Sequence, residues 1–329
     1  MTQADVVVVG AGALGLATAA ALRLAGRDVV VLAPEDVNAS ALAAGMLAPA
    51  FESALDGMSS PDGARLRHAR DLWMDFADQT GVELYRDGAE WRGPEAEAMA
   101  SRLRDLGFVA HQDGATVFTP EDWRLDARGA LAALSRGIAR RVGRLIQLEP
   151  VPEGWRLTDD RNAASTARQV VLATGWAPLS VGVPLPPIHP IRGQAVRVSG
   201  PCPDHVVRAT GVYVVPQGDG GAIIGATMEE GRNDLEPDPD VTARLLSLAR
   251  KACPELEVAA VVSAYAGVRG ASPDGWPYAG LLRPGLGVAL APRRSGWLLA
   301  ALVAGEVVRA LEGRDPGPHA ARMSPGRFA

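Results

Sequence analysis

Three glycines near the N-terminus have the spacing found in phosphate-binding turns. Gly10, Gly12 and Gly15 follow an apolar run, 6–9, and precede an alanine-rich helical segment, 16–25, after which a second apolar run begins. Strand, glycine turn, helix and strand in this order form the βαβ unit that binds dinucleotides. The glycines permit a tight turn, close approach to a pyrophosphate, and close packing of helix on strand. The N–H groups and dipole of the helix N-terminus would then face the phosphates.

A second set of residues has the chemistry to hold a carboxylate. Arg269 ends a predicted strand, 258–269, and Gly270 follows it, so the guanidinium can point into a cavity. Its planar fork matches a carboxylate through two parallel charge-assisted bonds. Arginine supplies nearly all of the positive charge, with Lys251 the one lysine, so a single arginine needs supporting neighbours. Tyr213 lies in a predicted strand and would face either the core or a cavity.

The sequence around these residues predicts both helices and strands, and the strands are of two kinds. Helical spacing of apolar residues predicts helices over 65–79, 95–106, 126–142, 240–253 and 296–311. Apolar runs bounded by turns predict strands over 155–158, 169–175, 194–198, 212–216, 222–227, 258–269 and 287–291. The continuously apolar strand at 169–175 is typical of a parallel sheet, and the short turn-linked strands after residue 191 of an antiparallel one.

We therefore predict an α/β fold, in which a Rossmann-like nucleotide-binding domain is interleaved with a mixed, largely antiparallel β-sheet domain. The first domain is expected to comprise 1–80, 128–186 and 262–329, and the second, substrate-binding domain 81–127 and 187–261. The proline-rich segment 178–190 is expected to carry the chain between them.

Composition narrows the functional classes. The 329 residues are 47% hydrophobic and 22% charged with a net charge of −5, which gives no reason to expect nucleic acid or an anionic membrane as a partner. The apolar stretch 286–308 contains two arginines and no signal peptide is evident, so a cytoplasmic protein is expected. Cys202 and Cys253 are expected to be unpaired thiols. The five histidines show no metal-ligand spacing, no metal is expected, and a homo-oligomer is left open.

The choice between NAD and FAD depends on the remainder of the chain. No histidine–carboxylate pair stands at a spacing that would indicate a nicotinamide dehydrogenase. The other glycine-rich segment, 218–221, joins two predicted strands and opens no helix, so a second dinucleotide site for NAD(P)H is not indicated. FAD alone is favoured.

At this point a resemblance becomes specific. The chain resembles the D-amino-acid oxidase superfamily of FAD-dependent oxidoreductases, in particular its glycine oxidase group. The matching segments, in family order, are 8–15, 43–47, 171–176, 190–194, 213–216, 225–228, 266–269, 274–277 and 294–296. The resemblance implies non-covalent FAD, a small amino acid as substrate and a place in thiamine biosynthesis. It also implies hydride transfer from Cα to flavin N5, with O2 as acceptor, giving an imino acid and H2O2.

The same resemblance implies roles for individual residues. Arg269 would bind the substrate carboxylate with Tyr213, Arg294 would lie near substrate and flavin, and Met46 and Met228 would form walls of the cavity. The residues expected to contact FAD are Gly10, Gly12, Ala13, Leu14, Gly15, Ala33, Glu35, Ser40, Ala41, Ala44, Gly45, Met46, Leu145, Thr174, Gly175, Trp176, Arg293, Arg294, Ser295, Gly296, Trp297 and Leu298.

Three positions complicate this assignment. Arg293 competes with its neighbour for the place beside the flavin. An acidic residue normally binds the adenosine ribose at the position that Ala33 occupies, and Glu35 or Asp36 would have to substitute. Gly211 replaces a histidine of the glycine oxidase group, which is expected to widen the cavity or remove a polar wall.

Other functions stay open from the sequence. They are an amino acid dehydrogenase that passes electrons to a quinone or carrier protein, an oxidase of sarcosine or another N-substituted glycine, and a flavin-binding partner without catalysis. An oxidase domain that modifies transfer RNA is a further alternative, which the acidic balance disfavours.

Overall fold

The structure, a computed structural model, describes residues 3–177 and 182–328. Its helices are α1 (Ala13–Leu24), α2 (Ala39–Leu42), α3 (Pro49–Leu55), α4 (Ser60–Thr80), α5 (Ala96–Asp105), α6 (Ala127–Leu134), α7 (Pro239–Ala252), α8 (Gly296–Leu311) and α9 (Ala320–Met323), with a 3₁₀ helix at Pro254–Val258. Of the expected crossing at 178–190, residues 178–181 lie outside the described residues.

The strands are numbered in the same way. They are β1 (Gln3–Val9), β2 (Val29–Ala33), β3 (Met46–Leu47), β4 (Ala89–Arg92), β5 (His111–Asp113), β6 (Thr116–Thr119), β7 (Trp123–Arg124), β8 (Ala139–Val142), β9 (Leu145–Val151), β10 (Gly154–Asp159), β11 (Ala164–Leu172), β12 (His189–Ser199), β13 (Val206–Ala209), β14 (Val212–Pro216), β15 (Ala222–Gly225), β16 (Glu229–Glu230), β17 (Ala260–Ala271), β18 (Tyr278–Arg283) and β19 (Leu286–Leu290).

The first sheet is the α/β layer predicted from the glycine turn. Its order is β18-β19-β11-β1-β2-β8, in which β19, β11, β1, β2 and β8 run parallel. Antiparallel β10 and β9 extend it from β11. Helices α1 and α8 pack on one face of the sheet through their apolar positions, α4 packs on α8, and together they form a buried apolar cluster. The α/β prediction is confirmed.

The second sheet is mostly antiparallel. Its order is β16-β12-β15-β14-β13-β4-β6-β5, and β17 pairs with β12. Helix α7 packs on one face through Leu245 and Ala249. The expected domain boundary at residue 262 falls inside β17, which pairs with β12 from Ala260 to Ala271.

Several predicted elements differ in extent from those observed, and three of them extend too far along the chain. The helix expected over 126–142 ends at Leu134, and 139–142 form β8 instead, because Gly137 with φ 69° breaks the helix and β2 offers a parallel partner. The strand expected over 169–175 ends at Leu172, and the strand expected over 222–227 ends at Gly225. By contrast, the strand at 212–216 and the helix at 296–311 are confirmed at both ends.

Within residues 3–177 and 182–328, no helix has the length and apolar character to cross a membrane.

Candidate active site

The glycine turn is built from backbone packed against backbone. Gly10 has φ 118°, and a Cβ there would overlap the carbonyl oxygen of Ala173 and lie 2.8 Å from its carbonyl carbon. A Cβ at Gly15 would in turn overlap the Gly10 carbonyl oxygen. Because both neighbours are backbone atoms, neither can move aside, and only glycine fits. The turn thereby brings the start of α1 to the carboxyl ends of β1 and β11.

The N-terminus of α1 is oriented for an anion. Its N-cap, Gly12, has no side chain to occupy the first-turn N–H groups, and Leu14 is the second residue of the helix. The Ser40 hydroxyl accepts the Ala13 N–H at 2.9 Å, and Asn38 Nδ2 donates to the Ala11 carbonyl at 3.0 Å, which ties segment 38–41 to the turn. A helix N-terminus behind a glycine cradle fits the pyrophosphate of a dinucleotide such as FAD.

Two acids, Glu35 and Asp36, follow the buried end of β2. Ala33 ends β2 and is buried, and its carbonyl accepts the Gly143 N–H at 3.2 Å. Asp36 forms an ion pair with Arg144. Glu35 is exposed and forms no ion pair within residues 3–177 and 182–328. Its carboxylate is therefore available to a ligand at the end of β2, where Ala33 has no polar side chain.

The other residues expected at FAD lie at the same edge of the first sheet. Thr174, Gly175 and Trp176 follow β11 beside Gly10, and a Cβ at Gly270 would lie 3.2 Å from the Gly175 carbonyl oxygen and from Cα of Trp176. Leu145 is buried at the start of β9. The indole of Trp297 donates to the Ser40 carbonyl at 3.2 Å, which brings the start of α8, with Gly296, to segment 38–41, where Ala41 lies. The glycine turn, segment 38–41 and the start of α8 are thus adjacent, and the binding of FAD along them stays a prediction.

A cavity near these segments has a volume of about 420 Å³. All five residues expected to bind or enclose the substrate line it, namely Arg269, Tyr213, Arg294, Met46 and Met228. Ala44, Gly45, Ser295, Trp297 and Leu298, expected at the flavin, line it too. The structure thus brings together residues from α3, α8 and the second sheet that are up to about 250 positions apart in the chain.

The cavity floor is one face of the second sheet. Cross-strand pairing places Tyr265, Ala195, Gly225, Tyr213, Arg208 and Trp91 in one transverse row on neighbouring strands. All six line the cavity. The small residues in the row leave room for the large side chains on either side.

Arg269 projects over this floor without an acidic partner. A Cβ at Gly193 would lie 2.5 Å from Cζ of Arg269, so the guanidinium occupies the space that glycine leaves. Nη1 donates weakly to the Thr227 carbonyl at 3.4 Å and lies 3.6 Å from Sδ of Met228. Arg269 forms no ion pair with the part of the chain that the structure describes. Burial lowers its pKa, which is the electrostatic cost of an uncompensated cation.

Tyr213 lies beside Arg269 on the same floor. A Cβ at Gly225 would lie 2.6 Å from the Tyr213 hydroxyl oxygen, so the phenol is accommodated by glycine. Burial raises the pKa of Tyr213, and the nearby guanidinium of Arg269 offsets only part of this effect. The phenol is therefore neutral near pH 7 and can donate a hydrogen bond to a bound anion.

A buried acid and a further arginine were missed from the sequence. Glu52 on α3 accepts a hydrogen bond from Nη2 of Arg208 at 2.6 Å, and its second oxygen lies 2.5 Å from Nε of Arg294. Burial alone would raise the pKa of Glu52, but the guanidiniums of Arg294 and Arg208 more than offset it and lower the pKa. Arg208 is the one charged residue in β13, which is the only local signal that the sequence offered.

The two consecutive arginines line different cavities, although both pair with Asp56. Arg294 lines the cavity with Arg269, whereas Arg293 has φ 51°, places Nη1 2.9 Å from Oδ2 of Asp56 and lines a separate cavity of about 400 Å³. The backbone N–H of Arg293 donates to the Gly270 carbonyl at 2.9 Å. Of the two, Arg294 is the one that shares a cavity with Arg269, and its place beside the flavin stays a prediction.

Gly211 forms part of the β13–β14 hairpin. Its φ is 76°, and a Cβ would start 3.6 Å from Cδ1 of Leu248, on the helix that covers the opposite face of the sheet. Gly211 also lines the cavity, so the expectation that it leaves the cavity wider than a histidine would stays a prediction, and the turn conformation is a second reason for glycine there.

The described residues contain no cluster of three His, Cys, Asp or Glu side chains arranged to hold a metal ion. Cys202 and Cys253 are free thiols, and burial raises the pKa of Cys253 to about 12.

Comparisons with known proteins agree with this arrangement. The model of the FAD dependent oxidoreductase (DAO) family matches residues 5–310. Glycine oxidase of Pseudomonas putida is 29% identical over an alignment 365 positions long, gaps included, which covers 96% of this chain and 98% of that protein. Glycine oxidase of Geobacillus kaustophilus is 27% identical over 343 residues, covering 91% and 90%. A crystal structure of the Geobacillus kaustophilus enzyme superposes with a TM-score of 0.84 at 25% identity over 100% of both chains.

The family match covers nearly all of the chain, and the glycine cradle fits the dinucleotide cofactor of that family. The protein therefore belongs to the DAO family of FAD-dependent oxidoreductases and is an FAD-dependent amino acid oxidoreductase of the glycine oxidase type.

Proposed function

We propose that this protein oxidatively deaminates a small amino acid and passes the electrons to O2. The hydride leaves Cα, the resulting imino acid is hydrolysed in water, and O2 is reduced to H2O2. When bound, FAD supplies N5 as the hydride acceptor and returns the electron pair to O2. The residues proposed to hold it are those of the glycine turn, of segment 38–46 and of the start of α8.

One observation carries the proposal. Arg269 places a half-buried guanidinium in the cavity with no acidic partner among the described residues, beside a neutral phenol donor at Tyr213. A buried cation without a counterion is costly, and a substrate carboxylate that binds in bidentate fashion removes that cost. The same contact fixes the position of Cα, because the carboxylate is bonded directly to it.

The protein residues also favour the reactive form of the amine. Arg208, Arg269 and Arg294 line the cavity against a single carboxylate, Glu52. The positive potential disfavours an ammonium ion next to them, so the bound amine is driven towards its neutral form. Only the neutral amine can assist departure of a hydride from Cα with its lone pair. Met46 and Met228 contribute polarisable, apolar walls to the cavity.

Substitution of Arg269 by alanine tests the proposal. Loss of a charge-assisted bidentate contact corresponds to about 3 kcal/mol, so KM for the substrate should rise on the order of 100-fold. The absorption spectrum of bound flavin should stay unchanged. Arg168→Ala is a matched control, since that side chain is 71% exposed on the first sheet and should leave KM unaffected. An Arg269→Ala variant with wild-type KM would contradict the assignment.

Peroxide yield distinguishes an oxidase from a dehydrogenase that uses a quinone or carrier protein. We expect one H2O2 for each amino acid oxidised in air-saturated buffer. Anaerobic reduction of the flavin followed by slow reoxidation in air would instead favour the dehydrogenase. Reduction by sarcosine but not by glycine would favour an N-substituted substrate.

A further inference from the structure

The ion pair with Glu52 does not account for every feature of Arg208. This arginine occupies the centre of β13 between apolar neighbours, lines the cavity and is only 4% exposed. The two hydrogen bonds that it makes with described residues both leave from Nη2, to Oε1 of Glu52 at 2.6 Å and towards Sδ of Met46 at 3.2 Å. Its buried Nε has no hydrogen-bond partner in the described part of the chain. A guanidinium has five N–H donors, so this one retains unused capacity at the cavity wall.

The charge of the cavity is also unbalanced. Three guanidiniums and one carboxylate line it, and Glu52 is shared between Arg208 and Arg294. Outside the cavity, Asp56 is likewise shared, between Arg294 and Arg293. With its amine neutral, glycine brings one negative charge, which Arg269 binds, so part of this excess would remain uncompensated. A ligand with a second anionic group would reduce it.

Asp122 does not remove the imbalance. It lies near Arg208 but does not line the cavity, and its two oxygens accept the backbone N–H groups of Ala50 and Phe51. Burial raises its pKa to about 7, so it carries only part of a negative charge at neutral pH.

The spacing of the cations suits a short dicarboxylate. The guanidinium of Arg269 lies over Gly193 on β12, and Arg208 belongs to β13, with β15 and β14 between them. Three strand spacings amount to about 14 Å between backbones, and both side chains extend into the cavity between them. A ligand that contacts both guanidiniums needs an anionic group at each end, because one carboxylate cannot reach across two intervening strands.

We infer that the preferred substrate is a small amino acid with a second carboxylate, on its side chain or its nitrogen, and that Arg208 binds this group. The inference rests on the proposed function, since Arg269 is taken as the anchor of the carboxylate next to Cα. Arg208 is then a residue that determines specificity and does not contact the reacting atoms.

Anaerobic flavin reduction by the holoenzyme tests this selectivity. The panel contains glycine and sarcosine against both enantiomers of aspartate and glutamate and against iminodiacetate. We expect at least one dicarboxylate to reduce the wild-type flavin with a second-order rate constant about tenfold or more above that of glycine. Arg208→Met, which keeps the length of the side chain, should lower the constant for that dicarboxylate about 100-fold, and at least about 30-fold more than it lowers the constant for glycine. Arg208→Lys should restore part of the selectivity.

The ratio between the two substrate classes separates specificity from a structural role. If Arg208 served only to hold Glu52, its substitution would slow both classes equally, and that result would overturn the inference. Faster reduction of the wild type by glycine than by every dicarboxylate would overturn it as well, while leaving the proposed function intact.

An equilibrium titration keeps the inference testable apart from turnover. Malonate and succinate should perturb the flavin spectrum of the wild type at concentrations at least tenfold below acetate, and Arg208→Met should remove the difference. If no amine reduces the flavin, the proposed function fails, whereas this titration still reports on Arg208. Equal affinity of the wild type for acetate and the two dicarboxylates would contradict the second anion site, even where the Arg208→Met variant does not fold.

Discussion

Glycine lines both the turn at the start of α1 and the floor of the cavity, but it makes room for different neighbours. At Gly10 and Gly15 the space is taken by backbone carbonyls. At Gly193 and Gly225 it is taken by the functional ends of side chains, the guanidinium of Arg269 and the hydroxyl of Tyr213. Backbone cannot move without rearranging a sheet, whereas a long side chain can adopt another rotamer.

This difference separates two kinds of site. The turn is a backbone-built site whose geometry is part of the fold, so damage to it should remove both cofactor and stability. The cavity is a side-chain-built site on a finished sheet, so damage to it should change substrate binding while the cofactor stays bound. The largest expected effects therefore lie at the turn and smaller ones at the floor.

Substitution of Gly10 by alanine should have the largest effect. A Cβ would overlap the Ala173 carbonyl, and φ 118° is unfavourable for any L-residue, so we expect a destabilisation of about 3–5 kcal/mol and purified protein without FAD. Thermal unfolding and the ratio of flavin to protein absorbance measure both. Gly26→Ala is the matched control, since φ is 80° but nothing lies within 4 Å, and it should keep FAD. A yellow Gly10→Ala protein of normal stability would break the distinction.

The backbone-built site is also the part that could be predicted from sequence. Strand, turn, helix and strand are contiguous, and the observed β1, α1 and β2 lie within a few residues of the predicted ones. The role of each glycine, to permit a tight turn or a close backbone approach, can be inferred from the local sequence alone. The strand at 139–142 shows the limit, because its Ala-Arg-Arg-Val sequence favours a strand only when β2 is available to pair with it.

The side-chain-built site could be predicted only in part. Arg269, Tyr213 and Arg294 were identified because they stand in segments that resemble a known family. Glu52 and Arg208 were not identified, because their contact joins positions 156 residues apart and no local sequence pattern predicts it. A charged residue inside an apolar strand is a hint, but its partner is decided by how α3 packs on the second sheet.

Substitution of Gly193 by alanine should have an intermediate effect. The new Cβ would displace the guanidinium of Arg269, and the backbone there is not in the left-handed region, so the fold and bound FAD should persist. We expect kcat/KM to fall on the order of 100-fold, mainly through KM, which is the loss predicted for removal of the guanidinium contact itself. Gly267→Ala, in the same floor but with ordinary contacts of 3.6 Å, should cause a smaller loss. Loss of FAD in Gly193→Ala would show that the two sites are not separable.

The two sites also differ in their ionisable groups. Residues 10–15 carry no ionisable side chain, whereas the buried carboxyl of Asp122 holds the start of α3, the helix that carries Glu52. Burial raises the pKa of Asp122 to about 7, and Arg208 together with the two backbone N–H groups offsets only part of that rise. In the unfolded chain the group ionises near its ordinary value of 3.8. Between these values the folded state holds a proton that the unfolded state releases.

Stability should therefore fall as pH rises through this window, and Asp122→Asn should remove that component. Since the folded state binds more protons below pH 7, the wild type should lose about 1.4 kcal/mol of unfolding free energy between pH 6 and pH 8 relative to the variant. Urea unfolding of both proteins at pH 6, 7 and 8 measures the difference, with the FAD dissociation constant followed in parallel. The ratio of the FAD constants of the two proteins should stay level, because nothing in the turn titrates. Parallel stability curves for wild type and variant would show that Asp122 is already ionised at pH 6, and with it that the side-chain-built site carries one more negative charge beside Arg208.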